Sequence, residues 1–570
     1  MMRLRVALAS LVSVLLIGTC VSRPTVTPDA TVPQGRRAAV VGAPCSGSYP
    51  SYWQDPRFAP MWEGQTITNR PPAGWTGPVF RLSDRFPEQP VDDSGAQPWR
   101  AGRYDALFSA QTSQDRKTEL ARDYIWALMR YIQEGNIDSG DIDTDWDMCR
   151  NRVRNWYHIP FQTYDALSGR EFVHGLTREA PVTFSLQAVK NPSGGDTVAT
   201  TVWAVAFYNP TAAHTLGRVW RPNGAAAVPA DDLRFEEGAV IGKLLFTTAN
   251  AAQMPALANM PVWTANISDP AFCNCKPKAG ETICSMAEQS EQCPRSTTRW
   301  APVTLLQFDV AVKDARAPET GWVYGTFVAD GQYAAGEKNP WNRIAPLGLM
   351  WGNDTPPRGQ LAINTPPNAR VSGFAEEVIF HDVVKRLNTG GGAIVTKQPG
   401  HLGCNGRLNG PADNANSSCM SCHMTASVLD RNEKTPPIIA QFGGITSECV
   451  QPSVSDPTTG TDASGSPAKI VNGISFTEMD QIYFANTQAG VPFKAVAQTS
   501  SGPRNVLGTA PQYASGRTNW ISLDYSLQLS ISLVQWNEWQ QHLAADRPGV
   551  DERDFDAILP ARHDDPAAQH

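Results

Sequence analysis

The 570-residue chain has no long hydrophobic run. Its leading apolar stretch, Val6 to Ile17, is too short to cross a bilayer as a stable helix, and no later segment is long and apolar enough. It also lacks any dense cluster of basic residues. Lys and Arg total 48 against 55 Asp and Glu, giving a formal net charge of −7 and no surface suited to nucleic acid. There is no His-Glu-x-x-His or Ser-His-Asp pattern to support a hydrolase, and no nucleotide fingerprint to support a dehydrogenase. The glycines of N-T-G-G-G, residues 388–392, are not followed by the Lys-Ser/Thr of a phosphate loop. What remains is a globular composition. It has 41% apolar residues and 17 tryptophans for a core, and 45 glycines and 45 prolines for abundant turns. The length suits two or three domains.

The start of the chain reads as an address rather than as part of the fold. Arg3 and Arg5 precede the short apolar run, which is the pattern of an export signal over 1–19. The run ends L-L-I-G-T-C at Cys20. This resembles a bacterial lipoprotein signal, in which the cysteine is lipidated, although Thr19 departs from the usual small residue. Ordinary cleavage nearby is the alternative. A Pro/Thr-rich stretch over 20–44 then reads as a tether. The implied location is the periplasm or the outer membrane, with membrane contact through a lipid anchor only.

Of the 11 cysteines, Cys20 belongs to the signal, and Cys419 and Cys422 to the motif discussed below. The even remainder suits disulfides in an exported chain. The pairing expected is Cys45–Cys149, two bridges among Cys273, Cys275, Cys284 and Cys293, and Cys404–Cys449. A four-thiolate zinc site in the 273–293 cluster fits its spacings less well.

The organisation expected is α+β: a mostly antiparallel β central unit with flanking helices and many irregular loops. Residues 45–180 read as a mixed region. Within it Leu120, Tyr124, Leu128 and Ile132 recur at helical spacing, predicting a helix over Asp115–Glu134 that Gly135 ends. D-I-D-T-D-W-D, Asp141–Asp147, resembles a calcium loop. But Trp146 stands where glycine is needed and Arg152 where glutamate is, so a solvated acidic turn is the better reading. Residues 181–335 read as strands. Leu306, Phe308, Val310 and Val312 alternate with Gln307, Asp309, Ala311 and Lys313, predicting a half-buried strand. In the last region, 336–570, a helix is predicted over Gly373–Leu387 and a loop over 452–467. The alternation Tyr525 to Leu533 predicts a strand, and Trp536, Trp539 and Leu543 a short helix.

One motif carries chemistry. Residues 419–423 read C-M-S-C-H, the attachment signature of c-type haem. Two thiols can form thioether bonds to the haem vinyl groups, and the adjacent histidine can ligate the iron. Composition alone gives about 0.003 copies by chance, against the one copy seen. A redox-active dithiol or a disulfide hairpin are the rivals. The expected cofactor is therefore one covalent haem c, held by Cys419, Cys422 and His423. Met479 is the sequence candidate for the sixth iron ligand, and a core position is its alternative; His401 and His381 are weaker candidates.

Y-N-P-T-A at 208–212, F-E-E-G-A-V-I-G-K-L at 235–244, V-A-V-K-D at 310–314, G-W-V-Y-G-T-F at 321–327 and then C-M-S-C-H follow the order seen in the "P-four-sixty" cytochromes and the β-sheet type of cytochrome c-prime. The chain resembles that family over about residues 200–425. As a whole it looks like the large c-type cytochrome-like lipoproteins of Gram-negative bacteria. The resemblance implies an exported, sheet-rich, mono-haem protein with an open distal face that reacts with hydroxylamine or binds nitric oxide. In the enzyme branch a lysine is cross-linked to the porphyrin, and Lys243 or Lys313 is the position to inspect here; an ion-paired or snorkelling lysine is the alternative for Lys243. The chain departs from the family in its long insert before the haem motif and in the 147 residues after it. The function expected is electron transfer with a redox partner protein or a small-molecule donor or acceptor. The alternative is an enzyme or gas-binding protein acting on a small nitrogen compound or peroxide. A mainly structural haem is a third possibility.

Overall fold

The structure is a computed structural model that describes most of residues 76–267, 300–352, 376–429 and 520–536, with short strand pairs elsewhere. The signal segment, Cys20, the tether, Cys45, the 273–293 cysteines, Cys404, Cys449 and Met479 lie outside the described residues.

The chain is α+β, built on an eight-stranded antiparallel sheet. Its strands are β1 (Thr177–Glu179), β2 (Val202–Tyr208), β3 (Val240–Thr247), β4 (Val262–Ala265), β5 (Ala301–Lys313), β6 (Trp322–Val328), β7 (Ala345–Met350) and β8 (Glu377–Ile379). The order across the sheet is β8-β7-β6-β5-β3-β2-β1, with β4 pairing the far end of β5. The sheet therefore takes strands from both sides of residues 180 and 335, and one hydrophobic core runs through all three stretches.

One sheet face is apolar because α1 covers it. Helix α1 (Gln114–Gln133) buries Leu120, Tyr124, Leu128 and Ile132, the residues whose spacing predicts it. Gly135, at φ 77°, follows its end, where a side chain would strike Asn151. Close approach to the sheet depends on two glycines. A Cβ on Gly242 would sit 2.5 Å from Phe207, and one on Gly325 would sit 2.9 Å from both Ile125 and Leu349. Phe207, Phe308 and Trp341 pack around Trp146, which takes a left-handed φ of 65°. The acidic turn before it leaves Asp141 and Asp143 exposed, and the described residues contain no cluster of metal-ligating side chains.

Three stretches differ from what their sequence predicts. Residues 373–387 are not one helix: Glu377–Ile379 is edge strand β8, and α3 (His381–Gly390) starts after it. Residues 527–533 are helical, not extended; the strand lies earlier, at Trp520–Ser522. Serines at 526, 530 and 532 mimic alternation there, yet Leu529 and Leu533 also sit one helical turn apart and are both buried. Within 452–467, Val454–Asp456 and Thr461–Asp462 pair as two short strands. A short helix, α2 (Pro210–Gly217), follows β2 without a periodic apolar pattern to mark it. Its signals are the Asn209 side chain, which accepts from Ala212 N, and a proline at the first position.

His158 ties the region before the sheet to β2. It is buried, and its Nδ1–H donates to the Ala206 carbonyl at 2.8 Å. Burial, aided by Arg170, lowers its pKa to about 3. The unfolded imidazole titrates near 6.5. Stability from the neutral ring is therefore complete above about pH 6.5 and is lost as the pH falls toward 3. Replacing His158 with Gln should flatten that part of the curve of unfolding free energy against pH. Gly325→Leu should cost about 1–3 kcal/mol, read as a lower denaturant midpoint, because it wedges α1 off the sheet.

Candidate functional site

The opposite sheet face carries the C-M-S-C-H segment. Cys419–His423 forms a short helix, α4, with a reciprocal cap: Ser418 accepts from Ser421 N, and the Ser421 hydroxyl accepts from Ser418 N. Glycines let the preceding loop sit close. A Cβ on Gly410 would lie 2.2 Å from the Gln307 side chain, and one on Gly403 would lie 2.0 Å from the Ser417 carbonyl. Met420 N meets Met350 Sδ of β7 at 3.4 Å. After α4, β9 (Ser427–Leu429) pairs with β10 (Trp520–Ser522), which returns the late chain segment 522–533 to the same place.

His423 is held on two sides. Its ring centroid is 4.3 Å from that of Tyr324 on β6. Its Nδ1 lies 2.9 Å from the Tyr525 carbonyl oxygen. A carbonyl can only accept, so Nδ1 carries the hydrogen and Nε2 keeps its lone pair. Burial lowers the His423 pKa to about 4, which keeps the ring neutral. A neutral imidazole with Nδ1–H on a carbonyl is oriented to ligate a metal through Nε2.

The Tyr525 carbonyl is itself fixed. It accepts a second hydrogen bond from the Tyr324 hydroxyl at 3.0 Å. Asp524 and Tyr525 both take left-handed conformations, φ 48° and 67°, which cost about 1–3 kcal/mol each. The buried Asp524 carboxylate offsets that cost by accepting from Lys313 Nζ at 2.8 Å on each oxygen and from Phe235 N at 2.8 Å. Burial pushes the Asp524 pKa up and the Lys313 pKa down, so each partner depends on the other to stay charged.

A polar row crosses the centre of this face. Lys243, Asp309 and Thr326 are in register on β3, β5 and β6. Lys243 Nζ bonds to Glu179 of β1. Thr326 donates to Asp309 at 3.1 Å and has its hydroxyl 3.9 Å from Cys419 Sγ. The Gln307 amide nitrogen lies between Asp309 and Asp413, at 2.7 and 3.0 Å. Burial, then the charge of Asp413, pushes the Asp309 pKa up to about 8 despite Lys243. Burial works against the Lys243 ammonium, but Glu179 and Asp309 more than offset it and raise its pKa.

The structure thus brings Cys419, Cys422 and His423 together on one half-buried helix. Neither cysteine is in a disulfide, whereas Cys149 is disulfide-bonded with its partner outside the described residues. Burial and the charges of Asp413 and Asp309 push the Cys419 thiol up, the reverse of what a reactive dithiol needs. Lys313 and Lys243 are both ion-paired on this face. His381 is exposed on α3, which Asp382 ties to Arg122 of α1, and His401 is buried in the 399–401 turn. Tyr324, Tyr525, Asp524, Thr326 and Asp413 belong to no motif that marks them for a role. The polar side of β5 was the available signal for the row, since Gln307 is fully buried rather than turned to solvent.

The chain matches no family profile, no curated protein and no solved structure.

The ion pair beneath the histidine makes a testable prediction. Asp524→Asn should destabilise the chain by about 3–5 kcal/mol, because it strands the Lys313 ammonium. Adding Lys313→Met should recover most of the loss in chemical denaturation.

Proposed function

We propose that the chain is an exported mono-haem c-type cytochrome acting in electron transfer. One observation carries this reading: the histidine of the C-M-S-C-H motif has its Nδ1–H committed to the Tyr525 carbonyl, with two cysteines on the same helix that form no disulfide. Cys419 and Cys422 would hold the haem covalently, and His423 would ligate its iron. When bound, haem supplies a one-electron couple and, if the sixth position is open, a site for a small molecule. The protein's part is to fix the imidazole, through Tyr324 and Tyr525, and to set the charge beside the cysteines, through Lys243, Asp309 and Asp413. Under this reading the chain is exported and lipid-anchored at Cys20, exchanging electrons with a redox partner protein or a small molecule. Met479 remains the proposed sixth ligand.

A second reading is a haem enzyme or gas-binding protein acting on hydroxylamine, nitric oxide or peroxide, as in the "P-four-sixty" and cytochrome c-prime resemblance. The observation that favours it is the buried polar row. Burial and Asp413 raise the Asp309 pKa, which brings this carboxyl beside Cys419 within the range a proton donor needs during turnover. Lys243 and Lys313 are the lysines to examine for a porphyrin cross-link.

Absorption spectra of the purified, oxidised and reduced protein separate the two. Electron transfer predicts a six-coordinate, low-spin spectrum with a methionine-to-iron band that Met479→Ala removes. A high-spin spectrum that shifts with nitric oxide would instead support the second reading.

A further inference from the structure

The buried tyrosines Tyr104, Tyr124, Tyr131 and Tyr324 each set the hydroxyl on a partner: Arg103, Asp314, Asp93 and the Tyr525 carbonyl respectively. Tyr208 does not. It is fully buried, and its Oη has no hydrogen-bond partner. A buried hydroxyl left without a partner is costly, and such groups in native folds usually mark an unplaced water or ligand.

The strand register says what this hydroxyl faces. Tyr208 of β2 pairs with Ile241 of β3, Ile241 with Ala311 of β5, and Ala311 with Tyr324 of β6. Residues in register across a sheet share a face, so these four form one row on the face that carries α4. The row is uneven. Tyr324 at one end holds the His423 ring, Tyr208 stands near the other, and Ala311 and Ile241 lie between them. In the neighbouring row Ala206 is also small, and the Lys243 ammonium is already taken by Glu179. The unpaired hydroxyl therefore stands across a low stretch of the sheet from the iron-ligating histidine proposed above.

We propose that Tyr208 is a ligand-binding residue whose Oη–H donates a hydrogen bond to an oxygen brought to this face with the haem. The acceptor is an oxygen lone pair. Its source is either a porphyrin carboxylate or a small molecule bound on the iron. This inference rests on the haem reading.

The test compares Tyr208→Phe in the full-length, haem-loaded protein with the same change in a haem-free Cys419→Ala/Cys422→Ala chain. Tyr208→Phe should lower the melting temperature of the loaded protein by a few degrees. In the haem-free chain the melting temperature should stay the same or rise, because an unpaired hydroxyl has been removed. The carbon monoxide complex of the reduced protein separates the two sources. A shifted C–O stretch in Tyr208→Phe assigns the bond to the iron-bound molecule. An unchanged stretch with a lowered melting temperature assigns it to a porphyrin carboxylate. If the iron takes no carbon monoxide, the melting comparison decides alone. An equal change in both chains, or no change in either measurement, overturns the proposal and gives the partner to water or protein. Failure of the haem reading is seen separately, as wild-type protein carrying no covalent haem.

Discussion

The hydrogen bond from His423 Nδ1 to the Tyr525 carbonyl is the constraint around which this face of the molecule is built. It joins residues 102 positions apart and decides which ring nitrogen is left free. Its cost is visible in the backbone, where two consecutive non-glycine residues are left-handed. What holds them there is electrostatic: the buried Asp524 carboxylate, bridged to Lys313 of β5 and to the Phe235 amide. The 520–533 stretch after the motif is thus part of this face. It supplies the carbonyl that orients the histidine.

The central sheet makes this possible by having two unlike faces. Against α1 it is apolar and closely packed, with Gly242 and Gly325 at the points of approach. Against α4 it offers small residues, two tyrosines and a row of polar and charged side chains. Gathering Lys243, Glu179, Asp309 and Asp413 in one neighbourhood adds no obvious stability, since desolvation opposes the charges of Lys243 and Asp309. Asp309 shows the tension, because its carboxyl titrates well above the ordinary range. Such a cluster beside two cysteines that form no disulfide is the pattern expected of a site rather than of stability alone.

Much of the scaffold was legible in the sequence. The spacing of Leu120, Tyr124, Leu128 and Ile132 marks α1, and the runs rich in β-branched and aromatic residues mark β2, β3, β5 and β6. Short elements were harder. Edge strand β8 and α3 adjoin with no break in apolar pattern, and the 345–350 strand follows a stretch with no alternation to read. At 527–533 serines interleave with leucines, so a period of two and a period near four coexist, and burial of Leu529 and Leu533 selects the helix. Of the site, Cys419, Cys422 and His423 were legible because covalent attachment demands a fixed local spacing. Tyr324, Asp524 and Tyr525 were not, since their roles come from long-range pairing and from a backbone carbonyl that any residue could supply. The polar side of β5 was visible but pointed to solvent, because nothing local shows that the 406–424 segment folds over it.

The central claim is that Cys419, Cys422 and His423 form a covalent haem site, and peptide mass spectrometry of the exported protein tests it most directly. The peptide spanning Cys419 to His423 should carry the added mass of one haem on its two cysteines. The same peptide at its unmodified mass, or lighter by two hydrogens as an internal disulfide, would contradict the account.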